Sequence, residues 1–369
     1  MNEDAELNRG LRFHWRLLQG GEIRGVATRA TGASQRATGL PDLEHQIEFC
    51  RQAEKSGISG LLTDIGAAKP DPILLAAGLG LATERVEFIV AYRSGLTLPT
   101  TFVQQLNTLS ALVNGRVSLN IVAGHSPLEQ RYYGDYLAHR ERYARTEEFL
   151  AICRAFWKND GPVDFSGNYY RIEGAKLNTP FISPHRSYPE LFIAGGSDDA
   201  RNLAISQGTL WMRLADTPEN LKVSVAPVLA AEKEVGLRMS IIARGSREEA
   251  LHAAYGLLAG LDPSLRDGDK EKRFMLRSDS VSICETYALA EKEWLSRWLW
   301  TGAVRTHGAP AVALVGSYEE VAQALIDYAQ VGVTQFILSG WPKLDEMILF
   351  GSEVLPRVRK LEAGVPSRI

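Results

Sequence analysis

The stretch "LFIAGGSDDAR" (191–201) places two glycines and a hydroxyl where an apolar run ends and a helical pattern begins. Gly195 and Gly196 allow a sharp turn or a close backbone approach. Ser197 is a favoured N-cap type, and Ala200, Leu203 and Ala204 carry the helical spacing that follows. Two readings are open. One is a tight turn with a capped helix. The other is a phosphate site, where the N–H groups of a helix start and a short hydroxyl face an anion. A second run, "VSLNIVAG" (117–124), contains Asn120 in an otherwise apolar strand pattern. A buried amide there must find partners, either a ligand edge or a neighbouring backbone.

These residues need elements to position them. Eight runs read as buried strands: "LRFHWRLL" (11–18), "ISGLLTDI" (58–65), "VEFIVAYRS" (86–94), "VSLNIVAG" (117–124), "ELFIAGG" (190–196), "TLWMRLA" (209–215), "LRMSIIAR" (237–244) and "QFILSG" (335–340). Helical patterns separate them. Ser317 with Glu320 and Ser246 with Glu249 have capping-box spacing, and Thr217-Pro218 marks another helix start. Eight near-continuous apolar strands alternating with helices predict an α/β fold, a (β/α)8 TIM barrel, over a doubly wound sheet. The whole chain, 1–369, reads as one barrel domain with insertions at about 19–40, 159–189 and 261–316. The second contains a hairpin, "VDFSGNYYRIEG". Insertions in this architecture decorate the C-terminal face, where barrel enzymes work, and oligomer contacts are the alternative use.

Bulk composition narrows the partners. A net charge of −3 over 369 residues gives no basis for nucleic-acid binding. No apolar run approaches the ~20 residues that span a bilayer. "MNEDAELNRG" is polar and acidic, unlike a signal or transit peptide. Cys50, Cys153 and Cys284 are far apart and odd in number, which argues against a disulfide framework or a cysteine zinc site. The seven histidines show no paired ligand spacing, so no metal is expected, and a reducing cytoplasm fits.

The block "RVEFIVAYRSGLTLPTTFVQQLNTLSALVNGRVSLNIVAGHSPLE" resembles the luciferase-like flavin-dependent monooxygenases, and within them alkanesulfonate monooxygenase in particular. The likeness continues in order through "HRERYARTEEFLAICRAFW", "ELFIAGGSDDA", "LRMSIIARGSREEA", "APAVALVGSYEEVA" and "FILSGWPKLDE". It implies a TIM barrel that receives reduced FMN from a separate flavin reductase. With molecular oxygen the family forms a flavin C4a-(hydro)peroxide and transfers one oxygen atom to a small organic substrate. A mobile lid in the largest insertion and a homodimer or homotetramer are also implied. The resemblance assigns the FMN phosphate to Gly195, Gly196, Ser197 and Tyr143, and the flavin ring and ribityl chain to Asn120 and Ala123. His125 lies one step further out, as a rim residue. Asp198 stands where relatives carry a second serine, so its carboxylate must turn away or pair with Arg201 or Arg142.

The substrate half departs from the alkanesulfonate pattern. Arg238 is retained, but Ser240 replaces a histidine, Trp341 a tyrosine and Lys69 a cysteine, while His307, with Arg305 nearby, replaces a loop arginine. Arg238 and Ser240 are then candidate donors to the reduced flavin and the peroxide, and His307 and Trp341 complete the catalytic set. A rim ion pair is the other reading of Arg238. Trp15 and His14, with Trp341, would form an aromatic wall, unless Trp15 is core packing. The expected function is a two-component monooxygenase whose substrate is not necessarily a sulfonate. Alkanesulfonate desulfonation, a deazaflavin-dependent oxidoreductase on the same barrel, and a non-catalytic flavin-binding subunit are the alternatives. Hydroxylation, carbon–sulfur cleavage and Baeyer–Villiger insertion would all start from the same peroxide.

Overall fold

A computed structural model describes residues 10–19, 41–67, 69–259 and 278–363. Thirteen strands are present among them: β1 (Arg12–Arg16), β2 (Gly60–Thr63), β3 (Glu87–Tyr92), β4 (Val117–Ile121), β5 (Val163–Ser166), β6 (Arg171–Ala175), β7 (Leu191–Ala194), β8 (Leu210–Leu214), β9 (Glu234–Arg238), β10 (Ser240–Arg244), β11 (Leu299–Trp300), β12 (Ala313–Ser317) and β13 (Val333–Leu338). Eight of them close a parallel barrel in the order β1-β13-β9-β8-β7-β4-β3-β2. Helices follow or link these strands, so the fold is the expected (β/α)8 barrel. β5 and β6 form the expected antiparallel hairpin. Most of the first insertion, and residues 260–277 of the third, lie outside the described residues.

One expected strand divides in two. The run 237–244 reads as a single barrel strand, yet the barrel strand is β9, ending at Arg238, and β10 belongs to a separate three-stranded sheet with β12 and β11. The exchange occurs across Met239. Its N–H donates to Ile337 in the barrel, whereas the next N–H, of Ser240, donates to Val312 at the edge of the side sheet. Both halves are apolar and buried, so the hydrophobic pattern carries no trace of the change of partner. β12, within the third insertion, supplies that partner through a five-residue parallel register from Ser240–Ala313 to Arg244–Ser317.

Strand alternation sorts side chains between the barrel axis and the helices. On β1, Phe13 and Trp15 face outward and pack on Phe350, with ring centroids 5.1 and 5.9 Å away. His14 faces inward and meets Phe192 of β7 edge-on across the axis, at 5.8 Å. The expected aromatic wall of Trp15, His14 and Trp341 therefore does not exist, because adjacent strand residues point to opposite faces. Trp15 is core. Leu62, Ile89, Ala91, Phe192, Leu210, Met212 and Ile337 fill the axis.

Below this apolar layer the N-terminal end is polar and tightly paired. Arg12 forms a two-pronged ion pair with Glu190, and Ser118 donates to Glu87. Gln335 Nε2 donates to Glu190 at 3.0 Å and to Glu234 at 2.6 Å. Both amide hydrogens are then used, so Gln335 Oε1 accepts from His14 Nε2 at 2.9 Å. The proton sits on Nε2, and His14 Nδ1 is left as a buried lone pair without a partner. It lies against Gly60, where an added Cβ would stand 2.7 Å away.

Burial, reinforced by the Arg12 charge, pulls the His14 imidazole down to about 4 from its ordinary 6.5. The unfolded chain binds this proton as pH falls below 6.5 and the folded chain does not, so stability present above 6.5 is lost on acidification towards 4. Between pH 7 and pH 5 this one group should remove about 2 kcal/mol. Urea unfolding at the two pH values should show His14→Gln losing less stability than the parent by about that amount. Parallel losses in the two proteins would contradict a neutral, buried His14.

Candidate functional site

The helix Asp198–Gln207 begins where β7 ends, with Ser197 as its N-cap accepting from the Ala200 N–H at 3.2 Å. Gly195 has φ +143°, a conformation L side chains rarely adopt. A Cβ there would lie 2.7 Å from the Tyr143 hydroxyl and 2.8 Å from Ala200 Cβ. The glycine thus admits Tyr143, from the helix His139–Lys158, onto the turn beside Ser197. Burial raises the Tyr143 phenol, so it stays a neutral donor. Four expected residues, Gly195, Gly196, Ser197 and Tyr143, are brought together. Asp198 is exposed and pairs with Arg201 at 2.9 Å, which takes its charge off the turn.

Arg142 does not contribute to that pairing. It is almost fully buried and spans three segments: Nε to the Ala123 carbonyl at 2.8 Å, Nη1 to the Leu137 carbonyl at 2.9 Å, and Nη2 to Asp279 at 2.6 Å. The Ala123 carbonyl also accepts from Gln130 Nε2 at 2.9 Å. Asn120 faces the axis on β4, and its Oδ1 is buried without a partner. The neighbouring-backbone alternative is therefore not realised for that oxygen.

Across the mouth, Arg238 ends β9. Arg16 Nε donates to Asp64 at 2.6 Å. Burial would raise the Asp64 carboxyl, but Arg16, then Lys69 and Arg238, outweigh it and hold Asp64 ionised. Burial draws the Arg238 guanidinium down to about 10, Arg16 adds to this and Asp64 opposes it, so the group remains charged at neutral pH. Arg238 Nη1 also reaches Ser339 Oγ at 3.4 Å. Ser240 differs from expectation. It is fully buried, its hydroxyl donates to the Pro310 carbonyl at 2.8 Å, and it lies 3.0 Å from Ser339 Oγ. Starting the side sheet has drawn it behind Ser339, so it supports the rim instead of presenting a donor. His307 and Trp341 meet edge-on at 4.9 Å, the histidine Nδ1 lying 2.8 Å from Thr306 Oγ1.

Three side chains that sequence reasoning passed over belong to this end. Arg16 and Asp64 carried a usable signal, since Arg12, His14 and Arg16 alternate with Phe13 and Trp15 and so mark the inward face. Arg93 follows β3 and is buried. Its Nη2 pairs with Glu129 at 2.5 Å and its guanidinium lies over the Tyr133 ring, while Nε and Nη1 have no hydrogen-bond partner. A cleft of about 690 Å3 opens between the end of β8 and the helix Val281–Leu289, lined by Arg213, Asp216, Ser282, Glu285 and Lys292 among others. It flanks the glycine turn and does not lie over Arg238.

The turn geometry is testable by volume. Gly161 has a similar φ, +141°, but nothing lies within 4 Å of an added Cβ. Gly195→Ala should therefore cost about 1–3 kcal/mol more than Gly161→Ala, the overlap with Tyr143 and Ala200 being the difference. Equal urea midpoints for the two variants would contradict the close approach.

The sequence matches the luciferase-like monooxygenase family over residues 24–335. Several solved structures share the barrel. EDTA monooxygenase from Chelativorans sp. BNC1 superposes with a TM-score of 0.73 at 22% identity, covering 96% of this chain and 94% of its own. A long-chain alkane monooxygenase gives 0.75 at 17%, over 96% and 92%. An F420-dependent secondary alcohol dehydrogenase, solved with an F420-acetone adduct, gives 0.64 at 19%, over 95% and 100%. At such identities these likenesses establish the fold alone. The match over 24–335 establishes more: the chain belongs to the luciferase-like monooxygenase family.

Proposed function

We propose that this chain is the oxygenase of a two-component system, a homo-oligomeric cytoplasmic enzyme that takes reduced FMN from a separate reductase and oxygenates a small organic substrate. The observation that carries the cofactor is the turn at Gly195, Gly196 and Ser197, with Tyr143 admitted by a glycine that no other residue could replace without displacement. The first-turn N–H groups of the helix Asp198–Gln207 have no intrahelical acceptors, and the positive end of its dipole faces the same way. This donor set fits a phosphate. The unpaired Asn120 Oδ1 suits an N–H on the flavin edge.

When bound, reduced FMN supplies two electrons, so that one atom of molecular oxygen enters the substrate and the other leaves as water. The chain's own part is to bind, orient and exclude water. Arg238 is a buried guanidinium that stays charged, supported by Asp64, at the end of a barrel strand, placed to stabilise negative charge. His307 and Trp341 form an aromatic, edge-to-face pair suited to limiting solvent. Ser240 and Trp341 at the positions of a histidine and a tyrosine support a substrate other than an alkanesulfonate.

Purified protein should bind reduced FMN more tightly than oxidised FMN. Ser197→Ala and Tyr143→Phe should each weaken FMN binding by about 1–3 kcal/mol and leave riboflavin, which lacks the phosphate, unchanged. Equal losses for both ligands would move the phosphate elsewhere. With reduced FMN, oxygen and octanesulfonate, no sulfite should accumulate above the enzyme-free control. Sulfite formed in step with reduced flavin consumed would return the chain to desulfonation. Oxidation of a secondary alcohol with F420, without oxygen, would replace the monooxygenase reading by hydride transfer.

A further inference from the structure

We propose that Ser282, in the first turn of the helix Val281–Leu289, is a phosphate ligand, and that the phosphate is clamped between the N-termini of two helices. This rests on the assignment of the FMN phosphate to the Gly195–Ser197 turn. Four observations carry it. A Cβ on Gly196 would stand 2.7 Å from Ser282 Oγ, so the second glycine is the contact point of this helix just as the first is the contact point of Tyr143. Ser282 Oγ is buried and has no hydrogen-bond partner. A hydroxyl removed from water without an acceptor is costly, and one left against Gly196 of the turn is poised for a ligand rich in oxygen acceptors.

The two helices also begin close to each other. One has Ser197 as its N-cap and ten residues; the other has Ser280 as its N-cap and nine. Both start near Gly196, so two positive dipole ends approach one another, with the first-turn N–H groups other than the capped Ala200 and Ile283 left for an anion. Finally, the segment leading into the second helix is anchored to the first half of the site. Asp279 receives Arg142 Nη2 at 2.6 Å and donates its N–H to the His125 carbonyl, which also accepts from Ser278 Oγ at 2.8 Å. Arg142 precedes Tyr143 in the chain, so both halves of the clamp share one support.

One group opposes the anion. Glu285, one turn beyond Ser282, brings Oε2 to 3.2 Å from the Gly196 Cβ position. It is exposed and lies near Arg213, which offsets its charge. The phosphate thus binds against one carboxylate, and removing that charge should help it.

The test uses the full chain, FMN and riboflavin, with binding followed by calorimetry and backbone hydrogen exchange followed over residues 281–289. Ser282→Ala should weaken FMN about tenfold, the value of a hydrogen bond to a charged group, and leave riboflavin unchanged. Glu285→Gln should tighten FMN and not riboflavin. In the parent protein FMN should slow exchange in this helix where riboflavin does not, and Ser282→Ala should abolish the difference. Unchanged FMN affinity in Ser282→Ala, or an equal loss for riboflavin, overturns the clamp. If Ser197→Ala and Tyr143→Phe weaken FMN while Ser282→Ala does not, only the clamp fails. If none of the three affects FMN, the phosphate assignment itself fails.

Discussion

A closed parallel barrel gives each strand two faces, and a single residue step exchanges them. Everything else in this molecule follows from that constraint. On β1 it sends Phe13 and Trp15 to the helices and Arg12, His14 and Arg16 to the axis. Burying charged groups inside a barrel is tolerable only if they pair. They do so in two separate places: Arg12 with Glu190 at the floor, and Arg16 with Asp64 at the mouth. An apolar layer centred on Phe192 and Ile337 keeps the two apart.

The ends differ in how completely they are satisfied. At the floor, Gln335 spends both amide hydrogens on carboxylates and its oxygen on His14. A network so nearly closed contributes rigidity and has little left to offer a ligand. At the mouth, Asn120 Oδ1, two nitrogens of Arg93 and Ser282 Oγ are buried without partners. Native proteins rarely leave such groups unmatched, and several of them at the end that carries Arg238 and the glycine turn fit a binding face.

Much of this was legible in the sequence, and the reasons for the rest are physical. Seven barrel strands and the place of the eighth followed from apolar runs and turn residues. The capping boxes at Ser317–Glu320 and Ser246–Glu249 formed as their spacing required. The glycine turn and its Ser197 cap were visible because glycine permits positive φ and serine is a favoured N-cap. The side sheet was not visible, because hydrophobic pattern reports burial and not the identity of the neighbour. Ser240 was misplaced for that reason. Arg142 and Asp279 lie 137 residues apart, and no local pattern links them.

The exchange of partners across Met239 has a wider consequence. Arg238 is the last residue of the barrel and Ser240 the first of an independent sheet. The glycine turn hangs on β7, two strands from β9 around the barrel, and on the helix His139–Lys158. The Arg238 side of the mouth is therefore braced by the side sheet in addition to the barrel that carries both sides. Mutations in Ala313, Val315 or their neighbours can re-aim the Arg238 side without disturbing the turn. Such an architecture lets a lineage keep one grip constant while exploring new molecules at the other, so that substrate and cofactor recognition evolve on separate clocks.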